Sequence, residues 1–97
     1  MSNAIEFASF DLKKGTSVPD FLLASDKMNS GFLSMQKGYI SRKLLVDGER
    51  WADLVVWETI EDARNAAKIF GENDVDREYI AFIENVDFHD FSIEKNY

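Results

Sequence analysis

Asp47-Gly48 stands between two runs of alternating character, residues 39–46 and 51–58. An Asp-Gly pair flanked by such runs is a strong signal for a two-residue hairpin turn. The first run is rich in branched and aromatic side chains. The second places Trp51, Asp53, Val55 and Trp57 on one face and Ala52, Leu54, Val56 and Glu58 on the other. An antiparallel pair is therefore expected in the middle of the chain, and the remaining elements must pack around it.

On the N-terminal side, residues 5–12 read as a strand. Ala4, Glu6, Ala8, Phe10 and Leu12 share one side, and Ile5, Phe7, Ser9 and Asp11 the other. Lys13-Lys14-Gly15-Thr16 ends it. Ser17 is placed to cap a helix, with Pro19 in the first turn and Asp20 three residues beyond the cap. Phe21, Leu22, Ala24, Met28, Phe32 and Met35 keep helical spacing to about Gln36, and Asn29-Ser30-Gly31 marks a place for a kink. Gly38 closes that segment. After the hairpin, Thr59 caps a second helix, with Asp62 three residues on and Gly71 at its end. Residues 75–83 read as a short third helix, and 86–94 as a last strand. The apolar phase of that strand changes from Val86 and Phe88 to Phe91 and Ile93, which predicts a bulge near His89-Asp90.

The order β-α-β-β-α-(α)-β is the split β-α-β, ferredoxin-like plan, an α+β fold with a four-stranded antiparallel sheet. Residues 1–97 form a single domain, since one proline and five glycines leave no linker. The sheet is apolar on both sides, so its second face needs a cover. A homodimer with sheets packed face to face supplies one.

Composition excludes several functions. Eleven basic against eighteen acidic residues give a net charge of −7, the wrong sign for a nucleic-acid binder or an anchor on anionic lipid. With no cysteine and one histidine, neither thiolate metal sites nor a two-histidine site within one chain can form, and no metal is expected. No stretch approaches the roughly 18 apolar residues of a membrane span. The start, Met1-Ser2-Asn3-Ala4-Ile5-Glu6, lacks a basic region followed by an apolar run, so a cytoplasmic protein is expected.

The run Gln36-Lys37-Gly38-Tyr39-Ile40-Ser41-Arg42-Lys43 precedes the hairpin. Trp51-Ala52-Asp53-Leu54-Val55-Val56-Trp57-Glu58-Thr59 follows it and leads into Glu61-Asp62-Ala63. Together these resemble the antibiotic biosynthesis monooxygenase-like (ABM) domains, which form dimeric α+β barrels. The Trp57-Glu58-Thr59 turn into an acidic helix start carries most of the resemblance, and the element order extends it over nearly the whole chain. The resemblance implies a pocket between the helices and the sheet of each protomer. Some members use it for cofactor-free oxidation of polycyclic aromatic substrates. Others degrade haem with an asparagine on the first strand, a tryptophan on the second helix and a histidine just beyond. Here Glu6, Ala66 and Asp76 stand at those places, so haem degradation is not expected.

Six residues are candidates for a site. Glu6 lies on a strand face otherwise made of Ala4, Ala8, Phe10 and Leu12. If the helices cover that face, burial raises its pKa toward that of a base working near neutrality; otherwise it is a rim carboxylate or the partner of Arg42 or Lys43. His89 can shuttle a proton with Glu6 or Asp90, or stand half-exposed in a bulge. Trp51 and Trp57 suit either the stacking of a flat ligand or the core. Tyr39 and Arg42, on opposite faces of their strand, offer a hydroxyl donor and a partner for an anionic ligand group, or plain packing and an ion pair. The acidic stretch from Glu72 to Asp76 lacks the pattern of a calcium loop and reads as a helix cap. The leading expectation is a cofactor-independent monooxygenase on a small planar aromatic ligand. A non-catalytic ligand-binding or stress-related barrel is the alternative, and a module acting through its acidic surface on a protein partner a third.

Overall fold

A computed structural model describes residues 2–97; Met1 lies outside the described residues. The order is β1 (Ala4–Leu12), α1 (Val18–Gly31), a 3-10 turn (Leu33–Met35), β2 (Tyr39–Asp47), β3 (Arg50–Trp57), α2 (Ile60–Ile69), α3 (Asp74–Ile80) and β4 (Ile83–Ser92). The four strands form one antiparallel sheet in the order β2-β3-β1-β4. This is the expected ferredoxin-like α+β fold. Among the described residues no helix is long and apolar enough to cross a membrane.

Local chemistry sets the helix starts. Ser17 Oγ accepts from the Asp20 amide at 3.3 Å and Thr59 Oγ1 from the Asp62 amide at 3.1 Å. Asn73 Oδ1 caps α3 through the Asp76 amide at 2.9 Å. Helix α1 stops at Gly31, where Phe32 leaves helical geometry, so the weak Asn29-Ser30-Gly31 segment ends the helix instead of bending it. Helix α3 is shorter than the expected 75–83, and β4 begins at Ile83.

The helices cover the face that carries Glu6 and the Trp51–Trp57 row. Trp57, Tyr79, Phe10, Phe21 and Val55 are fully buried there. Phe21 is the centre of the aromatic packing. It stacks on Tyr79 at 5.4 Å between ring centres and meets Trp51 edge-on at 5.3 Å. Gly38 (φ +85°) opens β2 beneath the first turn of α2, where a Cβ would fall on the carboxylate of Asp62. Only glycine meets both the positive φ and the missing space.

Three turns and irregularities differ from the sequence reading. Asp47 pairs directly with Arg50, so the loop is Gly48-Glu49, with Gly48 at φ 59° as the first turn residue. That is the position where a type II′ turn calls for glycine. Moving the loop by one residue moves the pairing by two, so the faces stay as expected. Next, β2 carries an extra residue between Tyr39 and Ser41. Tyr39 opposite Trp57 and Arg42 opposite Val55 therefore share the helix side, against the opposite facing that plain alternation predicts. Last, the bulge of β4 lies at Asn85-Val86, not at His89-Asp90. Ser9 pairs with Asp87 and Asp11 with Glu84, so three steps on β4 match two on β1. Asn85 takes φ 54° there, a conformation asparagine tolerates better than most residues. Its amide donates to Asp11 Oδ2 at 3.1 Å. Arg50 ties the same end together through Asp11 at 3.0 Å and Asp87 at 3.1 Å.

The opposite face presents Ile5, Phe7, Leu54, Val56 and Phe91, with Phe7 37% and Phe91 52% exposed. Among the described residues no helix packs on it.

Candidate functional site

Between the sheet and the helices lies an open cavity of about 390 Å³. Small residues make the room: Ala8 on β1 and Ala66 and Ala67 on α2 face bulky walls such as Phe32, Phe70 and Phe88. Phe10 and Phe70 line the space without plugging it, and Phe82 packs on Phe21 at 6.1 Å between ring centres. Glu6, Asp53 and Tyr79 are its polar lining side chains.

Glu6 sits on β1 directly opposite Asp90 of β4. Its Oε1 accepts a hydrogen bond from Trp57 Nε1 at 3.2 Å. Burial pushes its pKa from 4.5 up to about 7, and the nearby charges of Asp90 and Asp53 push the same way. The Trp57 hydrogen bond and the Arg42 charge work against the shift and do not cancel it. Asp90 is itself raised by burial, with Arg64 and His89 opposing, and its Oδ1 is buried without a hydrogen-bond partner.

Asp53, one strand over on β3, anchors a second polar group. Arg42 reaches its Oδ1 from Nη2 at 2.8 Å and from Nε at 2.9 Å, and both side chains are almost wholly buried. Tyr79 donates its hydroxyl hydrogen to Asp53 Oδ2 at 2.7 Å and accepts from Arg42 Nη2 at 3.2 Å. Burial alone would lower the Arg42 pKa, but the Asp53 and Tyr79 interactions outweigh it and raise it. Burial, then the Asp53 charge, holds the Tyr79 hydroxyl far above its ordinary value, so it stays protonated.

The six sequence candidates separate. Glu6 faces the cavity as expected. Trp57 is core, and its contribution is the N–H that holds Glu6. Tyr39 packs edge-on against Trp57 at 6.1 Å, and Trp51 lies against Phe21; neither lines the cavity. Arg42 binds Asp53 and lines a shallow groove beside Leu22 and Asn29 on the other side. His89 pairs with Phe7 on the outer face, so the strand register separates it from Glu6, and its ring rests on Phe91 at 4.5 Å. Asp76 is buried, and its Oδ2 pins the α2–α3 connection by accepting from Gly71 N at 3.0 Å and Asn73 Nδ2 at 2.9 Å. Sequence reasoning missed Asp53 and Tyr79 as cavity groups. The signal for Asp53 is the one that flagged Glu6, a carboxylate within an otherwise apolar row. Among the described residues no group of three His, Asp or Glu side chains is placed to hold a metal ion.

The fold is shared with solved structures of antibiotic biosynthesis monooxygenase-type proteins, which match nearly the whole chain. SnoaB, a cofactor-independent oxygenase from Streptomyces nogalater, superimposes with a TM-score of 0.79 at 14% identity, over 99% of this chain and 97% of that one. A candidate antibiotic biosynthesis monooxygenase from Bordetella bronchiseptica gives 0.74 at 20% identity, over 94% and 96%. A dimeric ferredoxin-like protein from an uncultured marine organism gives 0.67 at 11% identity, over 100% and 92%. No protein-family profile and no curated protein matches the sequence.

Proposed function

We propose that this protein is a cofactor-independent, ABM-type monooxygenase that oxidises a small planar hydroxylated aromatic ligand in the cavity over Glu6. The carrying observation is the Glu6 carboxyl itself. It is held by Trp57 in an apolar cavity at a pKa of about 7, where it can take up and return a proton. The cavity is of small-molecule size. Glu6 removes a proton from an activated CH2 carbon of the ligand. The carbanion joins molecular oxygen to form a carbon–oxygen bond, and the peroxide takes the proton back. Loss of water leaves a carbonyl, with one oxygen atom retained and the other released as water. The ligand carbon supplies all the electrons, so the scheme uses no cofactor and no metal. His89, on the outer face, has no part in it. Haem degradation is not proposed, because Asp76 is taken up by the α2–α3 turn.

Dithranol, a dihydroxyanthrone with one such CH2, tests the scheme. Oxygen uptake should exceed the spontaneous rate, consume one oxygen molecule per dithranol and yield the anthraquinone. Uptake at the spontaneous rate, with dithranol shown to bind, favours the non-catalytic ligand-binding reading.

The uncovered face carrying Phe7 and Phe91 supports a homodimer through the sheets, and the marine neighbour is described as dimeric. Wild-type protein at micromolar concentration should sediment as two chains of 11.1 kDa each. Phe7→Glu should give single chains that remain folded, since Phe7 is exposed within the protomer. A monomeric wild type would overturn the pairing. A cytoplasmic location suits the acidic, cysteine-free composition.

A further inference from the structure

Both charged side chains that line the cavity, Glu6 and Asp53, are acids. The donors of the neighbouring Trp57, Tyr79 and Arg42 side chains are already engaged. Trp57 Nε1 donates to Glu6, and the Tyr79 hydroxyl donates to Asp53. Arg42 sits behind Asp53, where its donors serve Asp53, Tyr79, the Ser25 carbonyl and Asn29 Oδ1. Asp90, opposite Glu6, adds a third carboxylate to the same stretch of sheet. Three carboxylates are thus set beneath apolar walls, with Arg42 engaged by Asp53 and Arg64 acting on Asp90 from α2. Once Glu6 is ionised, the lining side chains offer acceptors and leave no donor free. An anionic ligand end would meet like charges and no hydrogen-bond donor, and such a juxtaposition lowers affinity strongly.

We propose that the cavity selects apolar, flat ligands whose polar end donates hydrogen bonds and bears no negative charge, with ammonium ions preferred over neutral hydroxyls and carboxylates rejected. The proposal rests on the reading that this cavity is the ligand site. It goes beyond that reading in assigning selectivity to Glu6 and Asp53, and it takes Arg42 out of the role of anion clamp.

Three probes of matched shape test it: naphthylmethylamine, naphthylmethanol and naphthoate, each titrated by calorimetry. At about pH 8 the amine should bind at least about tenfold tighter than naphthoate, with the alcohol between them. The pH dependences should run in opposite directions. Glu6 ionises near 7, so the amine should tighten from about pH 6 to about pH 8 while naphthoate weakens. The charged groups around Glu6 are Asp53 on β3, Arg42 on β2 and Asp90 on β4, with Arg64 of α2 opposing Asp90. Glu6→Gln should flatten both profiles and shrink the preference for the amine. Ala67→Phe, an exposed helix position at the cavity, should weaken all three probes.

Naphthoate binding as tightly as the amine would overturn the selectivity and leave the cavity reading standing. Failure of all three to bind, or binding untouched by Ala67→Phe, would overturn both.

Discussion

Glu6→Gln should yield a protein that is more stable than wild type above neutral pH and at least about 100-fold slower with dithranol. The stability arm follows from linkage. The carboxyl titrates near 4.5 when unfolded and near 7 in the folded chain. Below the lower value both states hold the proton, and the group is neutral toward folding relative to that limit. As pH rises toward 7 and past it, the unfolded state ionises first, so folded stability falls with pH. Two and a half pKa units correspond to about 3 kcal/mol. Gln carries no charge to desolvate or to set against Asp90, and its carbonyl can still accept from Trp57 Nε1. The unfolding midpoint of Glu6→Gln at about pH 8 should therefore rise by roughly 5–15 °C, with little gain at about pH 4. Thermal scans at the two pH values check it. A difference independent of pH would mean that Glu6 is a solvated carboxylate and not a tuned base. The same residue thus lowers stability and provides the chemistry, as functional sites often do.

Arg42→Leu should cost about 3–5 kcal/mol and lower the unfolding midpoint by at least about 12 °C. The pair it breaks is buried, and the loss strands the Asp53 carboxylate under α1 and α3 with Tyr79 as its remaining side-chain partner. Arg42→Lys should recover little. A single ammonium cannot reproduce a guanidinium that reaches Asp53 and Tyr79 while pointing other donors at Ser25 and Asn29. The informative comparison is Arg42→Leu with Asp53→Leu in one chain. Removing both charges should restore much of what the single change loses, because the cost lies in the unpaired buried ion. Chemical denaturation of the three variants measures it. A single variant as stable as wild type would mean that water reaches Asp53 freely.

The parts of this fold legible in sequence are those set by near neighbours. Ser17 and Thr59 cap their helices because the amides they bond lie three residues away. The alternation of β1 groups Glu6 with Ala4, Ala8, Phe10 and Leu12 with no long-range information required, and the helix packing then decides that this face is the covered one. The misread parts depend on parity over a distance. One extra residue near Ile40 turns Tyr39 to the same side as Arg42, and nothing local at Ile40 announces it. The tryptophans suited either ligand walls or the core because they are flat and large. In the folded chain such side chains fill the deepest layer, and space for a ligand opens where alanines stand. Tyr79 is a buried residue of α3. Its pairing with Asp53 spans 26 residues, and no pattern in either segment carries it. The phase change toward Phe91 reads as a bulge because it assumes one apolar face, whereas the sheet has two.

The unpaired residue at Asn85-Val86 fixes the reading frame of everything after it in β4. Counted in strict alternation from Ile83, which faces the cavity, His89 would point inward and Asp90 outward. With the inserted residue the order is reversed, and Asp90 stands across from Glu6. One peptide unit at the strand's entrance thus decides whether Glu6 has an imidazole or a second carboxylate for a neighbour. The proton affinity of the cavity floor is therefore encoded as much by a chain length as by any side chain within it.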